Sequence, residues 1–100
     1  MASGNSKPLY LYKTYTYSGP SLSPKGTKTV TATNFNYSIP SGYTPLGIMG
    51  AGTGSSYLTI RSIHLTSSDM MTIYNYFSDT VSSGYTVTLQ VMFVLSTHKE

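Results

Sequence analysis

From Tyr85 to Leu95 the chain alternates. Tyr85, Val87, Leu89, Val91, Phe93 and Leu95 are apolar, and Thr86, Thr88 and Gln90 between them are polar. A strand sends successive side chains to opposite faces, so this period of two predicts a strand over 85–95 with one face in a core. Towards its end the other face turns apolar as well, at Met92 and Val94. That second apolar face needs cover, from the chain itself or from a neighbouring molecule, which makes Met92 and Val94 candidate oligomer-interface residues. "LYLYKTYTY" alternates in the same way and predicts a strand over Leu9–Tyr17, with Leu9, Leu11, Tyr15 and Tyr17 on one face.

The Thr-rich run Thr27–Phe35 predicts a second strand with Val30 and Ala32 inward. In "SYLTIRSIHLT" the apolar parity, set by Leu58 and Ile60, slips by one before Ile63 and Leu65. Such a slip near Arg61 and Ser62 predicts a β-bulge or a bend. "MMTIYNYF" at 70–77 predicts a further strand, with a short helical turn as the alternative. "GPSLSPKG" (19–26), "NYSIPSG" (36–42) and "SDTVSSG" (78–84) carry turn chemistry. Short strands punctuated this regularly predict an all-β fold, an antiparallel β-sandwich of about six to seven strands. No segment shows a 3.6-residue period, so no helix should exceed about two turns. The expected organisation is a flexible segment over 1–8, one sandwich domain over 9–96 and a frayed tail over 97–100.

"SGYTPLGIMGAGTG" (41–54) holds five glycines in fourteen residues and poses the question of a phosphate cradle. A phosphate loop needs amides converging on a helix N-terminus, usually with a Lys behind. Here a β pattern follows, and no Lys lies between 29 and 98. The stretch fits a strand over Tyr43–Ala51 instead, with Pro45 near its start, where proline is tolerated. Gly47 and Gly50 are then expected to be close-packing positions, so that Gly47→Val should overpack the interior. The tetrapeptide Ser-Gly-Tyr-Thr occurs at 41–44 and again at 83–86. Either it is an internal duplication or, the reading the mismatched flanks favour, a glycine with φ > 0 that turns the chain into a strand begun by tyrosine.

Composition narrows the class. Only 9% of the residues are charged, against about 25% in ordinary soluble domains. Polarity comes from 16 Ser, 15 Thr and ten Tyr, and there is no Cys. Such a balance suits half-solvated strands of an extracellular or virion protein. The net charge of +3 reflects a chain with three acids more than a basic patch, so nucleic acid is not expected as a partner. The longest apolar run, Val91–Leu95, is too short to span a membrane, and "MASGNSKP" is polar where a signal peptide would be apolar.

Catalysis has little to build on. The histidines are His64 and His98, the acids Asp69, Asp79 and Glu100, and no G-x-S-x-G elbow is present. No ligand spacing suggests a metal or other cofactor, so the expectation is a non-enzyme. The tyrosines offer more, since each is a rigid ring with a hydrogen-bonding tip. Sugar-binding surfaces set such rings beside Asn, Asp and Ser. Tyr74, Asn75, Tyr76 and Asp79 have that mixture, as do Asn34, Asn36 and Tyr37, and these seven are the candidate ligand-binding residues.

"KTYTYS" (13–18), "SGYTPLGIMG" (41–50) and the closing "VTLQVMF" (87–93) together resemble the small β-rich C-terminal head modules of tailed-phage tail-fibre, baseplate and receptor-binding proteins of Gram-positive or gut hosts. The likeness runs over roughly 10–96, without a shaft or coiled-coil segment. It implies a non-enzymatic virion module, a homo-oligomer with three-fold symmetry favoured, other virion proteins as neighbours, and attachment to a bacterial surface glycan after release from the host. A virion decoration or assembly protein without a ligand, and a free carbohydrate-binding module, are the alternatives.

Overall fold

The computed structural model describes residues 7–96; the segment expected to be flexible falls outside it except for Lys7 and Pro8, and the tail at 97–100, with His98 and Glu100, lies wholly outside the described residues. Six strands and one helical turn follow in the order β1 (Tyr10–Ser18), β2 (Thr27–Thr31), α1 (Ala32–Phe35), β3 (Tyr43–Thr53), β4 (Leu58–Ile63), β5 (Asp69–Asn75) and β6 (Thr86–Leu95). They form two antiparallel three-stranded sheets, β1-β6-β3 and β2-β5-β4. The all-β antiparallel class read from the alternation holds, and among the described residues no helix is long and apolar enough to cross a membrane.

Each strand of the first sheet is joined along the chain to the strand at the matching place in the second: β1 leads to β2 and β3 to β4, and β5 of the second sheet leads back to β6 of the first. The molecule measures 60 × 22 × 20 Å, with a radius of gyration of 16.3 Å where a compact chain of this length would have about 13 Å. Sixty ångströms exceeds the roughly 37 Å of the longest strand, so the two sheets are offset lengthwise. An isolated bridge between Leu22 and Val81 ties the crossing segments together between them.

The inner faces of both sheets feed one core. Val87, Leu89, Val91 and Phe93, the alternate residues of β6, are all fully buried, each contributing about 1.5–3 kcal/mol by leaving water. Val30, Met70, Met71 and Ile73 are buried on the second sheet. Both methionines of β5 can face inward because the β2–β5 register shifts between Val30 and Thr31. The far end of the first sheet is covered by the segment after α1: Tyr37 stacks on Phe93 at 6.4 Å and meets Tyr15 edge-on at 4.9 Å, and the Tyr15 hydroxyl donates to the Ser38 carbonyl at 3.0 Å.

The expected strand over 27–35 is corrected to a shorter strand and a helical turn. Thr31 Oγ1 accepts from the Asn34 amide at 3.1 Å while Asn34 Oδ1 accepts from the Thr31 amide at 3.0 Å, a capping box that starts α1. Asn36, left-handed at φ 55°, ends it one turn later. Local side-chain bonds here outcompete the strand ladder. The bulge expected near Arg61 is present, since the β4–β5 register shifts between Ile60 and Ser62. The two Ser-Gly-Tyr-Thr copies act as turn-to-strand starts: Gly42 and Gly84 have φ of 85° and 95°, and the Tyr43 and Tyr85 that follow are both buried.

Candidate functional site

The seven candidate ligand residues separate into structural and surface groups. Asn75 ends β5 on the inner face and is fully buried. Its Nδ2 donates to the carbonyls of Leu22, Ser23 and Asp79 at 3.1, 3.1 and 2.9 Å, and its Oδ1 accepts from the Phe77 amide at 2.9 Å. Both ends of the amide are occupied, so Asn75 is an internal strut and its expected role as a ligand group is corrected. Asn34 is half-buried with its Oδ1 spent on the capping box of α1, whereas Asn36 caps that turn only through its backbone and its side chain is exposed. Tyr37 is corrected to a packing residue: its ring fills the space between Tyr15 and Phe93, and its buried hydroxyl has no partner. Burial pushes that hydroxyl above the ordinary tyrosine pKa.

Tyr74 points to the opposite face of β5 from Asn75, and its ring is already covered by the Arg61 guanidinium at 4.1 Å from the centroid. The bulge at Arg61 brings the cation there. Asp79 is exposed; its Oδ1 accepts from the Thr80 amide at 2.9 Å, closing a local turn. His64 and Asp69 are exposed beside the ends of β4 and β5, and among the described residues no group of three His, Cys, Asp or Glu could hold a metal ion.

Tyr76 is different. It is 45% exposed, just past the end of β5, where its amide donates to the Tyr57 carbonyl at 3.1 Å. Its hydroxyl donates to the Ser56 carbonyl, and its own carbonyl accepts from Lys25 Nζ at 2.6 Å. Tyr57, 41% exposed, meets it edge-on at 6.5 Å and stacks nearly parallel on Phe77, with centroids 3.8 Å apart and planes at 13°. Two exposed tyrosines are thus held by a third ring, two hydroxyl or amide bonds and a lysine. Lys25 reaches in from a left-handed turn at φ 60°. The residue mixture around Tyr76 pointed here, but Tyr57, Phe77 and Lys25 were missed. They come from three separate loops, and only the strand pairing brings them together. No pocket is present among the described residues, so any aromatic contact would be made on an open surface, and the Tyr57–Tyr76 platform is one such surface.

The glycines also depart from expectation. A Cβ on Gly47 would meet nothing within 4 Å, and one on Gly50 only the Gln90 Oε1 at 3.4 Å. Gly47 is not a close-packing position in the folded chain, and Gly47→Val would overpack nothing there. Glycines that do need to be bare include Gly19, pressed against the Tyr85 ring, and Gly54, against Thr86 Oγ1. Met92 and Val94 are half-buried, flanked across the sheet by Tyr12 and Tyr10, so the chain itself supplies part of the cover their face requires.

Fold and surface together define a small antiparallel β module with a fixed aromatic platform. Comparison with known protein families, with curated proteins and with solved structures finds no match to this chain.

Proposed function

We propose that this chain is a non-enzymatic virion module that attaches to a bacterial surface glycan, receiving a sugar ring on the Tyr57–Tyr76 platform. The observation that carries the reading is the immobilisation of two exposed tyrosines by the Phe77 stack, the Ser56 carbonyl and Lys25. A ring already fixed loses little side-chain entropy on contact, and its flat face suits the C–H face of a sugar. Lys25 and the nearby hydroxyls supply polar contacts at the rim. The placement in a phage particle rests on the sequence resemblance.

The test is binding to immobilised cell-wall and capsular polysaccharides from Gram-positive and gut bacteria, followed by interferometry. Tyr57→Ala and Tyr76→Ala should each weaken binding at least ~10-fold with the unfolding transition still cooperative, and Tyr10→Ala on the other sheet should not. Absence of binding across the panel, or binding indifferent to Tyr57→Ala, would instead favour the second reading, a virion assembly module without a ligand. The uncharged outer face of the first sheet is the observation on that side.

A further inference from the structure

The outer face of the β1-β6-β3 sheet has a shape that complements itself. The strand registers set its residues in rows: Tyr10, Val94 and Thr44; Tyr12, Met92 and Gly47; Thr14, Gln90 and Gly50; Thr16, Thr88 and Gly52. Along β1 the face carries a ridge, with Tyr12, at 63%, the most exposed large apolar side chain of the described residues. Along β3 it carries a trough of bare backbone at Gly47, Gly50 and Gly52, and no atom stands within 4 Å of a Cβ at Gly47 or Gly52. Ridge and trough are the two edges of one sheet, with β6 between them. None of the residues in these rows is charged.

We infer that a second copy of this chain covers this face, its Tyr12 ridge lying in the glycine trough of the first. A two-fold axis parallel to β6, in the plane between two copies, carries β1 of one over β3 of the other at the same height along the strands. Tyr12 of each copy then sits over the Gly47 row of the other, and Met92 and Val94 of the two central strands meet near the axis. This is an isologous contact, which closes without leaving a free sticky face. It accounts both for bare glycines that none of the described residues packs against and for the second apolar face of β6. The absence of charge removes the repulsion that would otherwise oppose stacking of two like surfaces. Bulges opposite Met92 and Gln90 place Leu46 and Met49, 53% and 55% exposed, at the margin of the trough. From strand rise and spacing the face is roughly 30 Å by 14 Å. Two such faces bury on the order of 1,000 Å², the low end of specific interfaces, which suits a micromolar dimer. The pairing is two-fold, not the three-fold ring that the phage resemblance implies.

Sedimentation equilibrium over about 5–200 µM tests it, a range that brackets a micromolar dissociation constant. Wild type should fit a monomer–dimer equilibrium. Gly47→Lys with Gly52→Lys, which meets open space in the folded chain, should keep the wild-type far-UV spectrum and weaken dimerisation at least ~10-fold, as should Tyr12→Ser. Thr27→Lys with Thr29→Lys, an equally charged change at exposed positions of the second sheet, should leave the dimer intact. A wild-type monomer, a trimer, or a dimer indifferent to the glycine changes overturns the inference. So does a monomer whose outer face binds polysaccharide, lost on Gly47→Lys. Failure of glycan binding at Tyr57 would leave it standing, because the two surfaces share no residue.

Discussion

Asn75 Nδ2 donates to the Leu22 carbonyl at 3.1 Å, joining residues 53 apart in the chain. The bond connects the end of β5 to the segment that carries the chain from β1 to β2, and the same amide group holds Ser23 and Asp79. One side chain therefore stitches two crossing segments where the offset sheets meet.

Asn75→Ala should accordingly be among the most damaging single changes. A buried polar group left without a partner costs about 1–3 kcal/mol. Here the Asp79 carbonyl loses its donor and the Phe77 amide its acceptor, while the Leu22 and Ser23 carbonyls keep the amides of Val81 and Gly26. Asn75→Asp should be as harmful, since a carboxylate would face the same three carbonyls with no donor to offer. Chemical denaturation would show a fall of at least ~2 kcal/mol for both variants. A fall under ~0.5 kcal/mol would show that water replaces the amide freely.

Tyr15, Tyr37 and Tyr85 hold their protons more firmly than the ordinary tyrosine value of 10.0. Burial is the main cause in all three; Tyr37 adds to it at Tyr15, and Tyr17 at Tyr85. The unfolded chain releases these protons first as the pH passes about 10, so the folded state binds more protons and stability declines from there upward. Below about pH 9 these groups should contribute no slope. Tyr37→Phe removes a buried hydroxyl without a partner. It should leave neutral-pH stability unchanged or up to ~1 kcal/mol higher, and flatten the alkaline decline. Denaturation midpoints at pH 7 and pH 10.5 for both proteins check the sign.

The one-turn helix α1 depends on its capping box. Thr31→Ala removes the oxygen that accepts from the Asn34 amide and should cost about 1 kcal/mol. Thr31→Ser, which keeps the hydroxyl, should recover most of it. Equal losses for the two variants would point to packing of the threonine methyl instead.

How far these features were legible depends on how local their causes are. Alternation in β1 and β6, the bulge at Arg61 and the glycine-led starts at Tyr43 and Tyr85 each arise within a few residues, and a period or a φ requirement marks them in the sequence. The turn at Ala32–Phe35 was hidden because threonine and aromatic residues suit strands, while the Thr31–Asn34 box reads only as two polar residues. The platform was half legible. Tyr76 advertised itself, but Tyr57 and Lys25 join it through long-range pairing that no local pattern encodes. Asn75 misled for the converse reason, since asparagine reads the same whether it faces water or binds three carbonyls.

The glycines give the last contrast, because two substitutions of the same kind should behave oppositely. Gly19 lies against the ring of Tyr85, which is buried at 7% exposure and pinned between β6 and the first crossing segment. The Gly19 amide donates to the Tyr85 carbonyl at 3.0 Å, so backbone and ring are fixed together. A methyl there must displace either, and Gly19→Ala should cost roughly 1–3 kcal/mol by overpacking. Gly47 has ordinary strand dihedrals and open space where its side chain would begin. Gly47→Ala should therefore be neutral or raise the stability of the isolated fold by up to ~1 kcal/mol, since alanine has less backbone freedom to lose on folding. Thermal unfolding at a concentration well below the micromolar dissociation constant expected for the dimer keeps self-association from masking the difference. Gly19→Ala should melt several degrees below wild type and Gly47→Ala at or above it. If both melted equally low, the space beside Gly47 would be filled within the fold, and the trough on β3 would not exist.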